Sequence, residues 1–145
     1  MNIISFSSDL SSKTKAFVLD VLSEEGFEYD ALKDIDLDDI EGNYICKGGA
    51  FFISLHNGEV VGTSAVRNLG SDTCEIKRFY VKKECRGKGL GLDLFMVAMD
   101  FAKRNYSYVK LKTDSSLERA ISIYLRHGFI VVKEENGIVY FEKSL

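Results

Sequence analysis

EIKRFYV, residues 75–81, is followed by KKECRGKGLG, residues 82–91, and then by the apolar start of a helix, LDLF, residues 92–95. The first part predicts a strand, the second a glycine-rich turn, and the third a helix. In this order the free backbone N–H groups at the helix N-terminus point toward one place beyond the end of the strand. The stretch therefore predicts a site for an anion, and a phosphate in particular.

The composition of the turn supports an anion site. Gly87, Gly89 and Gly91 occur at alternate positions, so a ligand can approach the backbone without obstruction by a Cβ atom. Arg86 and Lys88 add positive charge to that of the helix dipole.

Two common phosphate loops do not fit this turn. A dinucleotide-binding fingerprint needs glycines at offsets 0, 2 and 5, but Leu92 is found five residues after Gly87. A P-loop needs a Ser or Thr after its Gly-Lys pair, whereas Gly89 follows Lys88.

Residues 86–91 instead match Arg/Gln-x-x-Gly-x-Gly/Ala, and here the sequence resembles the GNAT superfamily of N-acetyltransferases, whose motif of this form binds the pyrophosphate of acetyl-CoA. Residues 75–81 resemble the fourth strand of that family. AISIYLRHGF, residues 120–129, resembles its Ala-x-x-Leu-Tyr-x-x-x-Gly-Phe helix end. The matches together cover roughly residues 45–145, and their joint spacing is more specific than either motif alone.

The resemblance implies a set of residues that bind acetyl-CoA. In the turn, backbone N–H groups would hold the pyrophosphate; on the strand, the backbone would hold the thioester carbonyl and line the pantetheine arm. Leu117 occupies a position where many relatives have an asparagine that contacts pantetheine, so this contact is in doubt, and Thr113, Ser115 or Ser116 are possible substitutes. The predicted contacts are Phe79, Tyr80, Val81, Arg86, Gly87, Lys88, Gly89, Leu90, Gly91 and Leu117.

Two residues match catalytic positions of the family. Glu75 matches a carboxylate that accepts the proton of the amine, although a salt bridge to Lys77 or Arg78 explains a strand glutamate equally well. On a regular strand Glu75 shares a face with Phe79 and Val81, unless a β-bulge changes the phase. Tyr124 matches a tyrosine that protonates the CoA thiolate, and its alternative is a core tyrosine.

Composition limits the other classes of function. The chain has 145 residues, 46% of them hydrophobic, and we expect one domain, 1–145. It has no apolar run of about 18 residues and no basic leader segment, so we expect a cytoplasmic protein without a membrane partner. A net charge of −3 argues against nucleic acid. The three cysteines, without clustered histidines, indicate no metal site, and Cys85 beside the turn is interpreted as a bystander thiol.

The pattern of apolar residues and turns predicts an α/β (α+β) fold. We expect strands at 2–6, 50–55, 59–66, 73–81 and 108–112 and a final hairpin about 135–137, with the 73–81 and 108–112 strands parallel because a helix intervenes. Helices are expected after residues 7–9, weakly around 32–40, after the turn, and after a Ser115-Ser116 cap. Together with the resemblance, these elements predict a mixed sheet of about seven strands, flanked by about four helices. Its central parallel pair of strands is expected to splay around the cofactor.

The predicted function is acetyl-CoA-dependent transfer of an acetyl group directly to a primary amine of a small molecule or protein. The alternative is a non-catalytic acetyl-CoA-binding sensor, which would need the turn but neither Glu75 nor Tyr124. The acidic residues between 30 and 41 either attract a cationic amine or form a solvated helix face. A homodimer is left open.

Overall fold

The computed structural model describes residues 2–145, which form one seven-stranded sheet in the order β1-β2-β3-β4-β5-β7-β6. Within these residues no helix is long and apolar enough to cross a membrane. The strands are β1 (Asn2–Ser5), β2 (Ala50–His56), β3 (Glu59–Gly70), β4 (Thr73–Val81), β5 (Tyr108–Asp114), β6 (Ile130–Glu135) and β7 (Ile138–Ser144). The α-helices are α1 (Ser11–Glu24), α2 (Ile40–Asn43), α3 (Leu90–Asn105) and α4 (Glu118–Arg126). The predicted fold class is confirmed.

Three two-residue turns set the antiparallel register of the sheet. They are Asn57-Gly58 between β2 and β3, Ser71-Asp72 between β3 and β4, and Asn136-Gly137 between β6 and β7. All six residues have positive φ angles, between 52° and 79°, as in type I′ turns. The three predicted turn positions are confirmed.

The parallel pair of strands separates part-way along its length. β4 and β5 are paired from Thr73 with Tyr108 to Glu75 with Lys110, and the pairing then stops. β4 continues to Val81 and β5 to Asp114, so a gap opens between residues 76–81 and residues 111–114. We call this gap the β4–β5 cleft. α3 follows the far end of β4, so its N-terminus lies at the mouth of the cleft.

A β-bulge changes the phase of β4. Thr63 of β3 pairs with Tyr80 and Ala65 pairs with Lys77, which leaves one extra residue on β4. Arg78 lies within the bulge with a φ of 50°, a left-handed conformation that is uncommon for a residue with a side chain.

The bulge places Glu75 and Phe79 on opposite faces of the sheet. Ile76 belongs to the cluster packed beneath α3 and α4, and Phe79 packs against the same cluster, whereas Tyr80 packs with the α1 cluster on the other face. Glu75 alternates with Ile76 and therefore faces the α1 side. A regular strand would put Glu75 on the face of Phe79 and Val81, but the stated alternative, a β-bulge that changes the phase, is present.

Two details of the helices differ from the predictions. The carboxylate of Asp30 accepts hydrogen bonds from the N–H groups of Leu32 and Lys33, and this local bonding competes with a helix across 32–40. Only a 3₁₀ turn (Ile35–Asp38) and the short α2 form there. The start of α4 has no side-chain cap, and Ser116 instead donates through both its N–H and its hydroxyl to Asp114.

Candidate active site

The turn before α3 presents a run of unpaired backbone donors. Gly89 precedes the helix with a φ of 87°, and no side chain caps the helix. The first backbone hydrogen bond of α3 joins Asp93 N to Gly89 O at 3.0 Å. Within the described residues 2–145, the N–H groups of residues 87–92 therefore have no acceptor. Six consecutive free donors at a helix N-terminus form an anion-binding cradle.

The space in front of this cradle is open. A Cβ atom added to Gly87 or Gly89 would meet no atom within 4 Å, so a ligand can reach their N–H groups. Arg86 donates from Nε to Val81 O at 3.0 Å and thereby ties the turn to the end of β4. Lys88 is exposed, and the Leu90 side chain is buried. Leu90 can contribute only its N–H to a ligand.

Cys85 lies in the core beneath the turn. It is buried in a cluster with Val61, Leu90 and Leu94. A thiol buried among aliphatic side chains is not accessible to a substrate. The packing fits the interpretation of Cys85 as a bystander.

One wall of the β4–β5 cleft is aromatic. The ring of Phe95 on α3 lies 6.1 Å from the ring of Phe79 and 5.7 Å from that of Tyr124, measured between centroids. Tyr124 also packs against Phe129 and Phe141. Burial raises the pKa of Tyr124 to about 12. The phenol is therefore protonated at neutral pH, and within residues 2–145 its hydroxyl has no hydrogen-bond partner.

Glu75 lies at the base of the cleft, on the face opposite Tyr124. It is half-buried and lies opposite Arg67 on β3 and Lys110 on β5 in the strand register. Among residues 2–145, no ion pair within 4.0 Å includes Glu75. A salt bridge to Lys77 or Arg78 therefore does not account for this carboxylate.

Arg78 is instead held by a buried charge cluster that sequence reasoning missed. Its Nη2 donates to Asp34 Oδ1 at 3.0 Å and to Asp36 Oδ1 at 2.7 Å, and its Nε donates to Asp36 Oδ2 at 3.0 Å. Tyr44 donates its hydroxyl to the same Asp36 carboxylate. We call Arg78, Asp34, Asp36 and Tyr44 the Arg78 cluster. It fastens the acidic segment 30–41 onto the bulge of β4.

The cluster decides the role of two of the acidic residues. Burial raises the pKa of Asp36, but hydrogen bonds from Arg78 and Tyr44 outweigh burial and hold that pKa below its usual value. Asp34 is 5% exposed and is paired with the same guanidinium. Neither a solvated face nor an attraction for a cationic ligand describes this pair. Asp30, Asp38, Asp39 and Glu41 remain exposed.

Leu117 can offer a ligand only apolar contact. It lies directly before α4 with its side chain 43% exposed. Of the polar alternatives, the Ser116 hydroxyl is engaged by Asp114 at 2.7 Å, while Ser115 and Thr113 are both half-buried.

Comparison with known proteins agrees with this geometry. The chain is 34% identical over 100 residues to an uncharacterized N-acetyltransferase, YjgM, of Escherichia coli, covering 66% of this chain and 60% of that protein. It is 35% identical over 102 residues to an N-acetylaspartate synthetase of Danio rerio, covering 68% and 36% respectively. The chain thus spans less than two thirds of the length of these relatives.

Solved structures share the whole fold. A GNAT-family acetyltransferase from Staphylococcus aureus Mu50 superposes with a TM-score of 0.88 at 24% identity, covering 99% of this chain and 98% of that one. PaiA N-acetyltransferase from Thermoplasma acidophilum, solved in complex with coenzyme A, gives 0.77 at 16% identity with full coverage of both chains. The sequence profile of the acetyltransferase (GNAT) family matches residues 16–129. Since this match spans most of the sequence, the chain belongs to the acetyltransferase (GNAT) family.

Proposed function

We propose that the chain binds acetyl-CoA and transfers the acetyl group directly to a primary amine of a small molecule or of a protein. The observation that carries the proposal is the run of free N–H groups at residues 87–92, located where the β4–β5 cleft opens. A pyrophosphate on this cradle directs the pantetheine arm into the cleft. Membership of the family supports the same chemistry.

The cleft supplies donors for the thioester carbonyl. Past Glu75, no strand among residues 2–145 pairs with the β5 side of β4, so backbone N–H groups of residues 76–81 that face β5 have no strand acceptor. The Arg78 bulge lies within this segment and its backbone is fixed by the buried charges. A donor held in place before the reaction stabilises the developing oxyanion without reorganisation. We assign this role to the backbone of Phe79–Val81.

Tyr124 acts on the leaving sulfur. A thiol has a reference pKa of about 8.5, so complete proton transfer from a phenol of pKa about 12 is uphill by about 5 kcal/mol. The hydroxyl therefore donates a hydrogen bond to the sulfur as the carbon–sulfur bond breaks, and the thiolate takes its proton from solvent. This role needs a hydroxyl with no internal partner, as Tyr124 has among the described residues.

Glu75 acts on the amine. An alkylamine has a pKa of about 10 and arrives mostly as ammonium at neutral pH, so a group must accept its proton before its nitrogen can bond to the acetyl carbon. Glu75 has no ion-pair partner in the described chain and faces the cleft from the side opposite Tyr124. It accepts this proton directly or through water.

A screen of amines for thiol release from acetyl-CoA tests the proposal. With an acceptor in hand, Tyr124→Phe should lower the single-turnover rate about 10²- to 10³-fold, which is typical for removal of one transition-state donor. The acetyl-CoA affinity and the melting temperature should hardly change, because the ring keeps its packing.

Tyr106→Phe is the matched control for Tyr124→Phe. Its hydroxyl donates to Gly48 O at 2.6 Å, so its loss should lower stability and leave the rate unchanged. A rate of Tyr124→Phe within threefold of the parent rate would mean that Tyr124 is only a core residue and does not take part in the reaction. If acetyl-CoA binds tightly but no amine causes release of the CoA thiol, the sensor function is favoured instead.

A further inference from the structure

Within residues 2–145, part of one sheet face is exposed beside the β4–β5 cleft. On this face α1 packs against β2, β3 and the end of β4, and contacts residues such as Phe51, Ile53 and Ala65. Tyr108, Lys110 and Lys112 of β5 alternate with the buried Val109 and Leu111, so they point to that same side, where they are exposed. An amine that approaches the cleft from this side meets these side chains first.

Two lysines flank the opening of the cleft on this face. Glu75 and Lys110 are the last paired residues of the two strands. Lys77 and Lys112 are each two residues further along their strand, about 6.6 Å beyond that pair, and alternation places both on the uncovered face. They therefore lie on opposite sides of the opening, with Glu75 at its base.

The charge of this surface is not balanced within the described chain. Strand pairing places five cations and four carboxylates on the uncovered face, although residues 1–145 together carry a net charge of −3. No carboxylate among residues 2–145 lies within 4.0 Å of the four cations on β3, β4 and β5, which are Arg67, Lys77, Lys110 and Lys112. The fifth cation, Lys133 on β6, is paired with Glu135, and the other carboxylates are Glu75, Asp114 and Glu142.

Lys77 is the most informative of these cations. It is half-buried, and burial lowers its pKa despite the nearby carboxylates of Glu75 and Asp36. By contrast, Arg78, its neighbour in sequence, is paired with two aspartates. A partly desolvated ammonium group without a close counter-ion gains from an anionic ligand.

We propose that the amine acceptor carries a carboxylate close to its amine, as in an amino acid, and that Lys77 and Lys112 bind this carboxylate while the amine faces Glu75. The inference rests on the proposed function and specifies its substrate class. In an α-amino acid one carbon separates the two groups, so both fit across an opening that has cations at its rim and a carboxylate at its base. The similarity to N-acetylaspartate synthetases, named for an acetylated amino acid, points the same way.

The test compares L-alanine, L-aspartate and L-glutamate, each with its α-amide, in the thiol-release assay. The amide has the same length but no α-carboxylate, and its amine is less basic because no adjacent negative charge stabilises the ammonium form. Availability of the free amine therefore favours the amide. We expect the opposite order, with at least one acid tenfold higher in kcat/KM than its amide. Equal or higher values for every amide would overturn the inference and leave the proposed function standing.

Lys77→Met and Lys112→Met assign the preference to residues. Each should lower kcat/KM for the acid at least tenfold more than kcat/KM for the amide, mainly through a higher KM for the acid. Lys133→Met is the control, because Lys133 lies on β6, two strands from Lys112 in the sheet, and is already paired with Glu135 at 3.4 Å. Equal losses for acid and amide would contradict a carboxylate site.

A binding measurement separates this inference from the proposed function. Calorimetry with the same amino acids and amides, on protein saturated with coenzyme A, needs no turnover. Acid binding that both lysine variants weaken would support the carboxylate site even if no thiol were released. Absence of acid binding in calorimetry, together with no thiol release, would reject both proposals.

Discussion

The glycine turn, which we propose as an anion site, and the Arg78 cluster are separated by only a few residues along β4 and its continuation. The turn consists of consecutive residues, 86–91, whose donors are backbone N–H groups. The Arg78 cluster joins one arginine to aspartates that precede it by 42 and 44 residues. The first is visible as a motif in the sequence, whereas the second exists only after the chain has folded.

The two sites also differ in the energetic cost of leaving their polar groups unpaired. Donors of the turn face open space and can bind water until a ligand arrives, so leaving them unpaired costs little. The Arg78 guanidinium and the Asp34 carboxylate are each 7% exposed, so both have lost their hydration and must be paired at all times. The turn is therefore suited to exchange a ligand, and the Arg78 cluster is suited to hold the backbone of β4 in place.

Arg78→Leu should have the largest effect of any change considered for these two sites. It leaves Asp34 and Asp36 as buried, unpaired carboxylates, which is expected to lower the free energy of unfolding by about 3–5 kcal/mol. Urea denaturation measures the loss. Adding Asp34→Asn and Asp36→Asn should restore part of the stability, because both charges then disappear. A loss below about 1 kcal/mol would mean that the cluster is solvated rather than buried.

Arg78→Leu should also reverse the way in which stability depends on pH. In the parent, the folded-state pKa of Asp36 is below its unfolded value, so its contribution to stability is present above about pH 4 and is lost as the pH falls through the folded-state pKa. Without Arg78, burial, which is the largest influence on the pKa of Asp36, raises that pKa against the one remaining hydrogen bond, from Tyr44. The Arg78→Leu protein should then become more stable between pH 7 and pH 5 as its carboxylates gain protons, while the parent does not.

Gly89→Val tests whether the backbone N–H groups of the turn bind acetyl-CoA. Valine is strained at a φ of 87°, and relief of that strain rotates the adjacent N–H groups away from the ligand. Loss of two charge-assisted hydrogen bonds at about 1.5 kcal/mol each lowers the acetyl-CoA affinity about 100-fold. Lys88→Ala, which removes one exposed charge, should cost much less. Equal losses by calorimetry would contradict the backbone cradle.

Gly137→Val is the matched control for strain. Gly137 has a φ of 79° in the β6–β7 turn, and an added Cβ there also meets nothing within 4 Å. Both variants should lose about 1–2 kcal/mol of stability from the left-handed backbone. Only Gly89→Val should lose affinity for acetyl-CoA.

Local sequence signals account for most of the fold. The pairs Asn57-Gly58 and Asn136-Gly137 favour positive φ at both turn positions and so fix two hairpins. The helix between β4 and β5 leads to their parallel arrangement. Failures occur where a side chain competes for the backbone, as Asp30 does in the segment expected as a helix and Asp114 does before α4.

The candidate site was predictable to a smaller extent. Turn residues are adjacent in the chain, so their joint role shows in the sequence. The position of the bulge at Arg78 does not show in the sequence, because it depends on partners far away in the chain. If β4 is treated as a regular strand, Glu75 and Phe79 are assigned to the same face incorrectly. A signal was present, since two aspartates two residues apart lie in a segment with the apolar Ile35 and Leu37, but nothing in the sequence pairs them with Arg78.

Glu75→Gln should have the smallest effect on stability, and it tests whether Glu75 is independent of the Arg78 cluster. Since Arg78 is satisfied by its aspartates and Glu75 has no ion pair within residues 2–145, the substitution should change stability by less than about 0.5 kcal/mol. If Glu75 accepts the amine proton, the rate should fall most near pH 7, by about tenfold or more. The penalty should then shrink toward pH 10, where the free amine is already abundant. A ratio of mutant to parent rate that stays flat between pH 7 and pH 10 would remove Glu75 from the reaction.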